Sequence, residues 1–240
     1  MEKLLISPID MELLVEEGMM TKNKITTIYI VRHGESEYNA LTNENLYIPG
    51  QWGVKGAPLT NEGKKQARKR AEDLKHVKFD AIFSADVARA MQTAEIIKLE
   101  RKLAIQTTNI IHERLSYMLL GKTFTETEKE IRKTLEELDE KAKMAYKPEG
   151  QDEMRNESIN ENATRMLTFL REIAVTYEGK TVLVVNHANN MKAILLHLGF
   201  ATFDEISPKG TIENIAYIVL ESDGVDFFVK ETKGIHKYGK

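Results

Sequence analysis

The chain of 240 residues contains no cysteine. A disulfide scaffold, a thiolate metal site and a cysteine nucleophile are therefore excluded, and any chemistry must come from His, Ser, Thr, Lys or carboxylates. Long hydrophobic runs are also missing. Val182 to Val185 and Ile215 to Leu220 are among the longest, far short of the ~20 residues a membrane-spanning helix needs. Met1 to Asp10 lacks a basic start and sets Pro8 behind a short apolar cluster, unlike a secretory signal. Charge of one sign is scarce too: 34 Lys and Arg stand against 37 Asp and Glu, a net of −3. That balance excludes the broad cationic surface of a non-specific nucleic-acid binder, yet a few local arginines suffice to hold a small anion. These absences describe a soluble, cytoplasmic chain with neither nucleic acid nor membrane as partner.

What is present is enough apolar sequence, 42% of residues, to build one large α/β domain or two small ones. Residues 1–24 read as an N-terminal appendage, with Met19 and Met20 just ahead of the first strong strand. From Ile25 the pattern alternates. Ile25 to Val31 is β-branched and aromatic, hence a strand. Residues 41–59, with Pro49, Gly50, Gly53, Gly56 and Pro58, form a long loop. Thr60 caps a helix running to about His76, Phe79 to Ser84 is a strand, and Asp86 caps the next helix. Leu103 to Thr107 is a further strand. Thr125 to Tyr146, rich in Glu and Lys, reads as one exposed helix within a lid spanning about residues 113–150. Ser158 to Tyr177 is a helix ended by Gly179, and Thr181 to Asn186 is a nearly all-apolar strand suited to the centre of a parallel sheet. A helix runs on to His197, and Ile212 to Leu220 with Val225 to Lys230 make a closing hairpin through Ser222-Asp223-Gly224. The expected fold is a three-layer α/β sandwich, a mostly parallel central sheet flanked by helices with the lid inserted, covering residues 25–240.

Three strand ends carry polar residues: Arg32-His33-Gly34, Ser84 to Arg89, and His187. Ligands of open α/β sheets bind at the carboxyl ends of the strands, so these segments are expected to meet. Two arginines and two histidines would gather there, a set suited to phosphate.

The run Ile30-Val31-Arg32-His33-Gly34-Glu35-Ser36-Glu37-Tyr38-Asn39 resembles the signature of the histidine phosphatase superfamily, in its phosphoglycerate-mutase-like branch. The likeness continues through Pro58-Leu59-Thr60, Gly63 and Gln66-Ala67. Further matches are Ser84 with Arg89-Ala90 and Gln92-Thr93-Ala94-Glu95, then Glu113, then Val184-Val185-Asn186-His187. The resemblance implies a phosphomonoesterase that works through a phosphohistidine. His33 would be the nucleophile, attacking without a separate base because a neutral imidazole has a free lone pair. Arg32 and Arg89 would bind phosphate oxygens with planar forks. His187 would donate to another oxygen, Asn39 would add a neutral hydrogen bond, and Glu113 would protonate the leaving alcohol and then activate water. No metal and no cofactor is needed, and the partner is a small-molecule phosphate ester.

The sequence also departs from that pattern. Ala188-Asn189-Asn190 replaces the paired glycines usual after the second histidine, Asn156 stands where Gly precedes Glu157-Ser158, and Tyr117 and its neighbours differ from the glycine-rich stretch after the acid. Ala188, not Asp, argues against the acid-phosphatase and phytase branch. Glu113-Arg114 and Leu119-Leu120-Gly121 are similar to the mutase pattern, while Leu115-Ser116-Tyr117 is not, so a cofactor-dependent mutase is the alternative. A non-catalytic phosphate-binding or partner-binding module is the second. His112-Glu113 is no zinc motif, because Ser116 stands where a second histidine is needed.

Overall fold

The run Thr181–Asn186, β4, lacks the polar alternation of a half-exposed strand, and Val182 to Asn186 are all buried, so both faces of this strand are covered. The computed structural model describes residues 24–40, 56–99, 101–114, 124–147, 157–206 and 211–239. Residues 1–23 of the appendage and most of the loop 41–59 fall outside the described residues.

Around β4 the chain builds a six-stranded sheet. β1 (Thr26–Arg32) and β2 (Ala81–Ala85) lie parallel to β4 on either side, and β3 (Ile105–Thr108) extends the parallel set from β2. β5 (Ile212–Ser222) runs antiparallel to β1, and β6 (Phe227–Ile235) closes the edge, for an order β3-β2-β4-β1-β5-β6. Helices α1 (Asn61–Asp73) and α2 (Ala88–Lys98) pack together, as do α5 (Ile159–Thr176) and α6 (Ala188–His197). The expected α/β architecture, a mostly parallel sheet flanked by helices, is the one observed.

Local signals explain most boundaries. Thr60 accepts from the Gly63 amide, and Ser158 forms a reciprocal capping box with Glu161, each cap contributing about 1 kcal/mol. Gly179 takes φ +70, the left-handed conformation that ends a helix. At the hairpin tip Asp223 Oδ1 accepts from the amides of Val225 and Asp226, so β6 starts two residues later than expected.

Two expectations are corrected. Asp86 does not cap α2: the chain stays extended through Val87 (φ −107, ψ 148), which is the N-cap and makes no side-chain cap bond. The segment expected as one helix over 125–146 is two, α3 (Phe124–Glu136) and α4 (Glu140–Ala145), because Asp139 accepts from the Ala142 amide and starts a new helix. α4 is fastened to the body. Lys143 pairs with Asp204 of the short helix α7 (Phe203–Ile206), and Met144 packs on the cluster of Ile159, Ala163, Ala193 and Phe203.

The first turn of α1 lies directly on the loop after β1. A Cβ on Gly63 would come within 2.0 Å of the Glu35 carbonyl oxygen, and one on Gly34 within 2.6 Å of the Gly63 oxygen. Backbone atoms on both sides leave no room to yield. Gly63→Ala is therefore expected to destabilise the fold by roughly 3 kcal/mol or more in urea denaturation; a loss under 1 kcal/mol would show that this close approach is easily relaxed.

Candidate active site

The parallel register aligns the strand ends. Arg32 pairs with Asn186 across β1 and β4, and the His33 amide donates to the Asn186 carbonyl at 3.0 Å. The two following histidines therefore leave the sheet side by side, with ring centroids 5.2 Å apart and planes at 67°. Both are buried.

Their protonation states follow from what they touch. His33 Nδ1 lies 2.7 Å from the Gly34 carbonyl oxygen, which can only accept, so Nδ1 carries the proton and Nε2 the lone pair. That lone pair receives Arg89 Nε–H at 3.1 Å. Arg89 Nη2 also lies 3.4 Å from His187 Nδ1, so Nδ1 accepts and the proton of His187 sits on Nε2. Burial, then the Arg89 charge, holds both imidazoles well below the ordinary 6.5. Two neutral rings of opposite tautomer result.

Arg32 donates through Nη1 to the Ile212 carbonyl at 2.6 Å. Its Nε and the Nε2 of His187 are buried donors without a hydrogen-bond partner among the described residues. Unpaired buried donors of this kind are costly unless a ligand completes them.

Glu113 lies on the turn after β3. It is half-buried, and Oε1 accepts from the Arg114 amide at 2.9 Å. Burial raises its carboxyl above the ordinary 4.5, against the opposing pull of Arg89 and of the Arg114 amide. Asn39 is exposed. Its Oδ1 accepts from the Ser36 amide at 3.2 Å, from Ser36 Oγ at 3.0 Å and from Asn214 Nδ2 at 3.4 Å, which ties down the loop after His33. Thus Arg32, His33, Arg89 and His187 come together, Glu113 is coupled to them through Arg89 and Arg32, and Asn39 lies along the same loop.

Other participants were given no role by the sequence. Thr93 Oγ1 accepts from the Gly34 amide at 3.1 Å and donates to the Arg89 carbonyl at 2.7 Å, joining the β1 loop to the start of α2. Ile215, β-branched yet at φ +63, sits where β5 slips register against β6. Its amide reaches the His33 carbonyl at 3.4 Å and its carbonyl accepts from Arg70 Nε at 3.0 Å. No local pattern in the sequence marks such a bulge.

The model of the histidine phosphatase superfamily, branch 1, matches residues 28–233. The chain belongs to this superfamily. Among curated members, the phosphoglycerate mutase of Schizosaccharomyces pombe is 27% identical, covering 86% of this chain and 95% of its own. A probable phosphoglycerate mutase of Proteus mirabilis is 32% identical over 70% of this chain and 72% of its own. Phosphoserine phosphatase 1 of Hydrogenobacter thermophilus is 29% identical over 70% and 73%. Among solved structures, Bacillus stearothermophilus YhfR superposes with a TM-score of 0.66 at 25% identity, covering 88% of this chain and 97% of that one. The superfamily thus includes proteins named as mutases and as phosphatases, all similar to this chain. No helix among the described residues is long and apolar enough to cross a membrane.

Proposed function

We propose that this chain is a phosphomonoesterase that passes the phosphoryl group of a small phosphorylated metabolite through His33 to water. One observation carries the reading: a buried neutral His33 offers its Nε2 lone pair beside Arg89, next to the unpaired donors of Arg32 and His187. A phosphoryl group entering there displaces the Arg89 N–H from Nε2. Its oxygens then take up the Arg89 fork, Arg32 Nε–H and His187 Nε2–H, which balance the charge that spreads over them in the transition state. Asn39 keeps the loop closed through Ser36 and offers its amide N–H.

In the first half-reaction the N–P bond forms at Nε2 and the P–O bond to the alcohol breaks, with Glu113 giving its proton to the leaving oxygen. In the second, Glu113 takes a proton from water as that water attacks phosphorus and the N–P bond breaks. We assign residues 25–240 to one domain, with the segment 113–150 shaping the substrate end of the site. The relatives named as phosphoserine phosphatase and phosphoglycerate mutase make small phosphorylated acids the first substrates to try.

The test is incubation with p-nitrophenyl phosphate, phosphoserine and 3-phosphoglycerate. Release of inorganic phosphate supports the phosphomonoesterase. Interconversion of phosphoglycerates, dependent on a bisphosphate, supports the mutase instead. Absence of both, with no acid-labile phosphoprotein, leaves a binding module.

The pH dependence of kcat/KM reports the first half-reaction. His33 must be neutral, and its basicity is lowered, so the acid limb falls below pH 6.5. Glu113 must be protonated, and its pKa is raised, so the basic limb for alkyl phosphates falls above 4.5. A bell bounded by these two limbs is expected for alkyl phosphates, and Glu113→Gln should abolish the basic limb. A profile still rising past pH 8 would contradict these assignments.

A further inference from the structure

Asn190, three positions after His187, is completely buried. Its Nδ2 donates to the carbonyl oxygens of His112 at 2.8 Å and Ile111 at 3.2 Å, and to Asn186 Oδ1 at 2.7 Å. Asn186 Oδ1 in turn accepts from the His187 amide at 2.8 Å. One carboxamide on α6 therefore grips both the turn that carries Glu113 and the strand end that carries His187.

The orientation of this amide is set by groups that cannot reverse their roles. Glu157, an acceptor only, pairs with Arg165 at 2.6 and 2.7 Å and lies 3.5 Å from Asn162 Nδ2. Asn162 Nδ2 donates to Asn190 Oδ1 at 2.8 Å, so the Asn190 N–H groups must face the carbonyls. At the other end the His187 amide can only donate, which fixes Asn186. Arg165 completes the clamp by donating to the Ile110 and His112 carbonyls at 2.5 and 3.3 Å. The direction of each hydrogen bond from Glu157 to His187 is thus set by an obligate acceptor at one end and an obligate donor at the other, while Asn162 Oδ1 has no partner among the described residues.

We propose that Asn190, aimed by Asn162, is a positioning residue that holds the Glu113 turn in register with His187 for proton transfer to the leaving group. This rests on the reading of Glu113 as general acid. The acid's proton has to meet an oxygen of the ester whose phosphorus is held at His33 and His187. A displacement of about 1 Å is enough to impair such a transfer by around 100-fold. The turn has little apolar packing of its own beyond Ile111, since Ile110 is exposed. Its carbonyls are where the fold takes hold of it.

The consequence depends on the leaving group. An alkyl alcohol needs the proton, whereas p-nitrophenolate departs without one. Asn190→Ala is expected to lower kcat/KM for an alkyl phosphate about 30-fold while changing p-nitrophenyl phosphate less than about threefold. Asn190→Asp, which turns a donor into an acceptor against two carbonyls, should be as selective or more so, and Asn162→Ala should show the same selectivity more weakly. In a Glu113→Gln background, Asn190→Ala should add nothing further. Thermal unfolding of each variant identifies any that is merely misfolded, and Asn162→Ala, lying farther from the turn, supplies the fallback.

Glu113→Gln separates the two levels. If it shows no selective loss on alkyl phosphate, the general-acid reading fails and this proposal fails with it. If it does, but folded Asn190 and Asn162 variants lose both substrates equally or neither, only the proposal is overturned.

Discussion

His33→Ala is expected to lose hydrolysis of every substrate by on the order of 10⁴-fold or more, together with any acid-labile, base-stable phosphoprotein. The size follows from the absence of a substitute. Arg89, Arg32 and His187 are donors in the arrangement described, and the ring of His187 turns its lone pair to Arg89 and its N–H away. No other described group at the site presents a free lone pair to phosphorus. Burial raises the Glu113 carboxyl above its ordinary value, and its charge interacts with Arg89 and Arg32. The structural effect of removing the ring is smaller: one hydrogen bond to Gly34 and some buried surface, about 1 to 3 kcal/mol. The check is labelled phosphate in a rapid quench, with a melting curve of the variant. Retention of a tenth of the activity in the folded variant would rule out His33 as the nucleophile.

Arg89 is expected to be nearly as sensitive, and its two replacements should differ. Arg89→Ala removes a charge-assisted fork from the transferring group and should cost about 10³-fold or more in kcat/KM. Arg89→Lys keeps the charge but not the fork, which here spans both histidines through Nε and Nη2, so a loss of about 10²-fold remains. The pH profiles discriminate further. The Arg89 charge is one cause of the low basicity of His33. Its removal raises that pKa, so the acid limb moves up toward neutrality in Arg89→Ala and stays in place in Arg89→Lys. Identical limbs in the two variants, measured on p-nitrophenyl phosphate, would show that Arg89 does not set the state of the nucleophile.

Much of the fold was legible because its signals are local. The β-branched run before Arg32, the unbroken apolar run before His187 and the caps at Thr60 and Ser158 each declare an element within a few residues. The start of α2 was not, because Asp86 is a good cap by composition and the chain simply stays extended one residue longer. The break at Asp139 was missed for the opposite reason: in a stretch already dense with acids, one capping aspartate does not stand out. At the site, Arg32 and His33 were legible from a contiguous motif at a strand end. Glu113, lacking such a setting, was placed only by resemblance. The clamp of Asn162, Asn186 and Asn190 was invisible, since asparagines scattered over three elements carry no common spacing.

Sequence alone determined the types of the elements, the parallel character of the central strand and the identity of the groups able to handle an anionic ester. Those properties depend on side-chain size, backbone preference and charge, which each residue carries with it. Tertiary structure decided what those groups are in place. The tautomers of His33 and His187 depend on a carbonyl and a guanidinium brought from elsewhere in the chain, and their neutrality on burial beside Arg89 and Arg32. Cysteine's absence restricts the nucleophile to other residue types. Only the alignment of β1 with β4, which seats two histidines 5.2 Å apart around one arginine, gives one of them a lone pair and the other a donor.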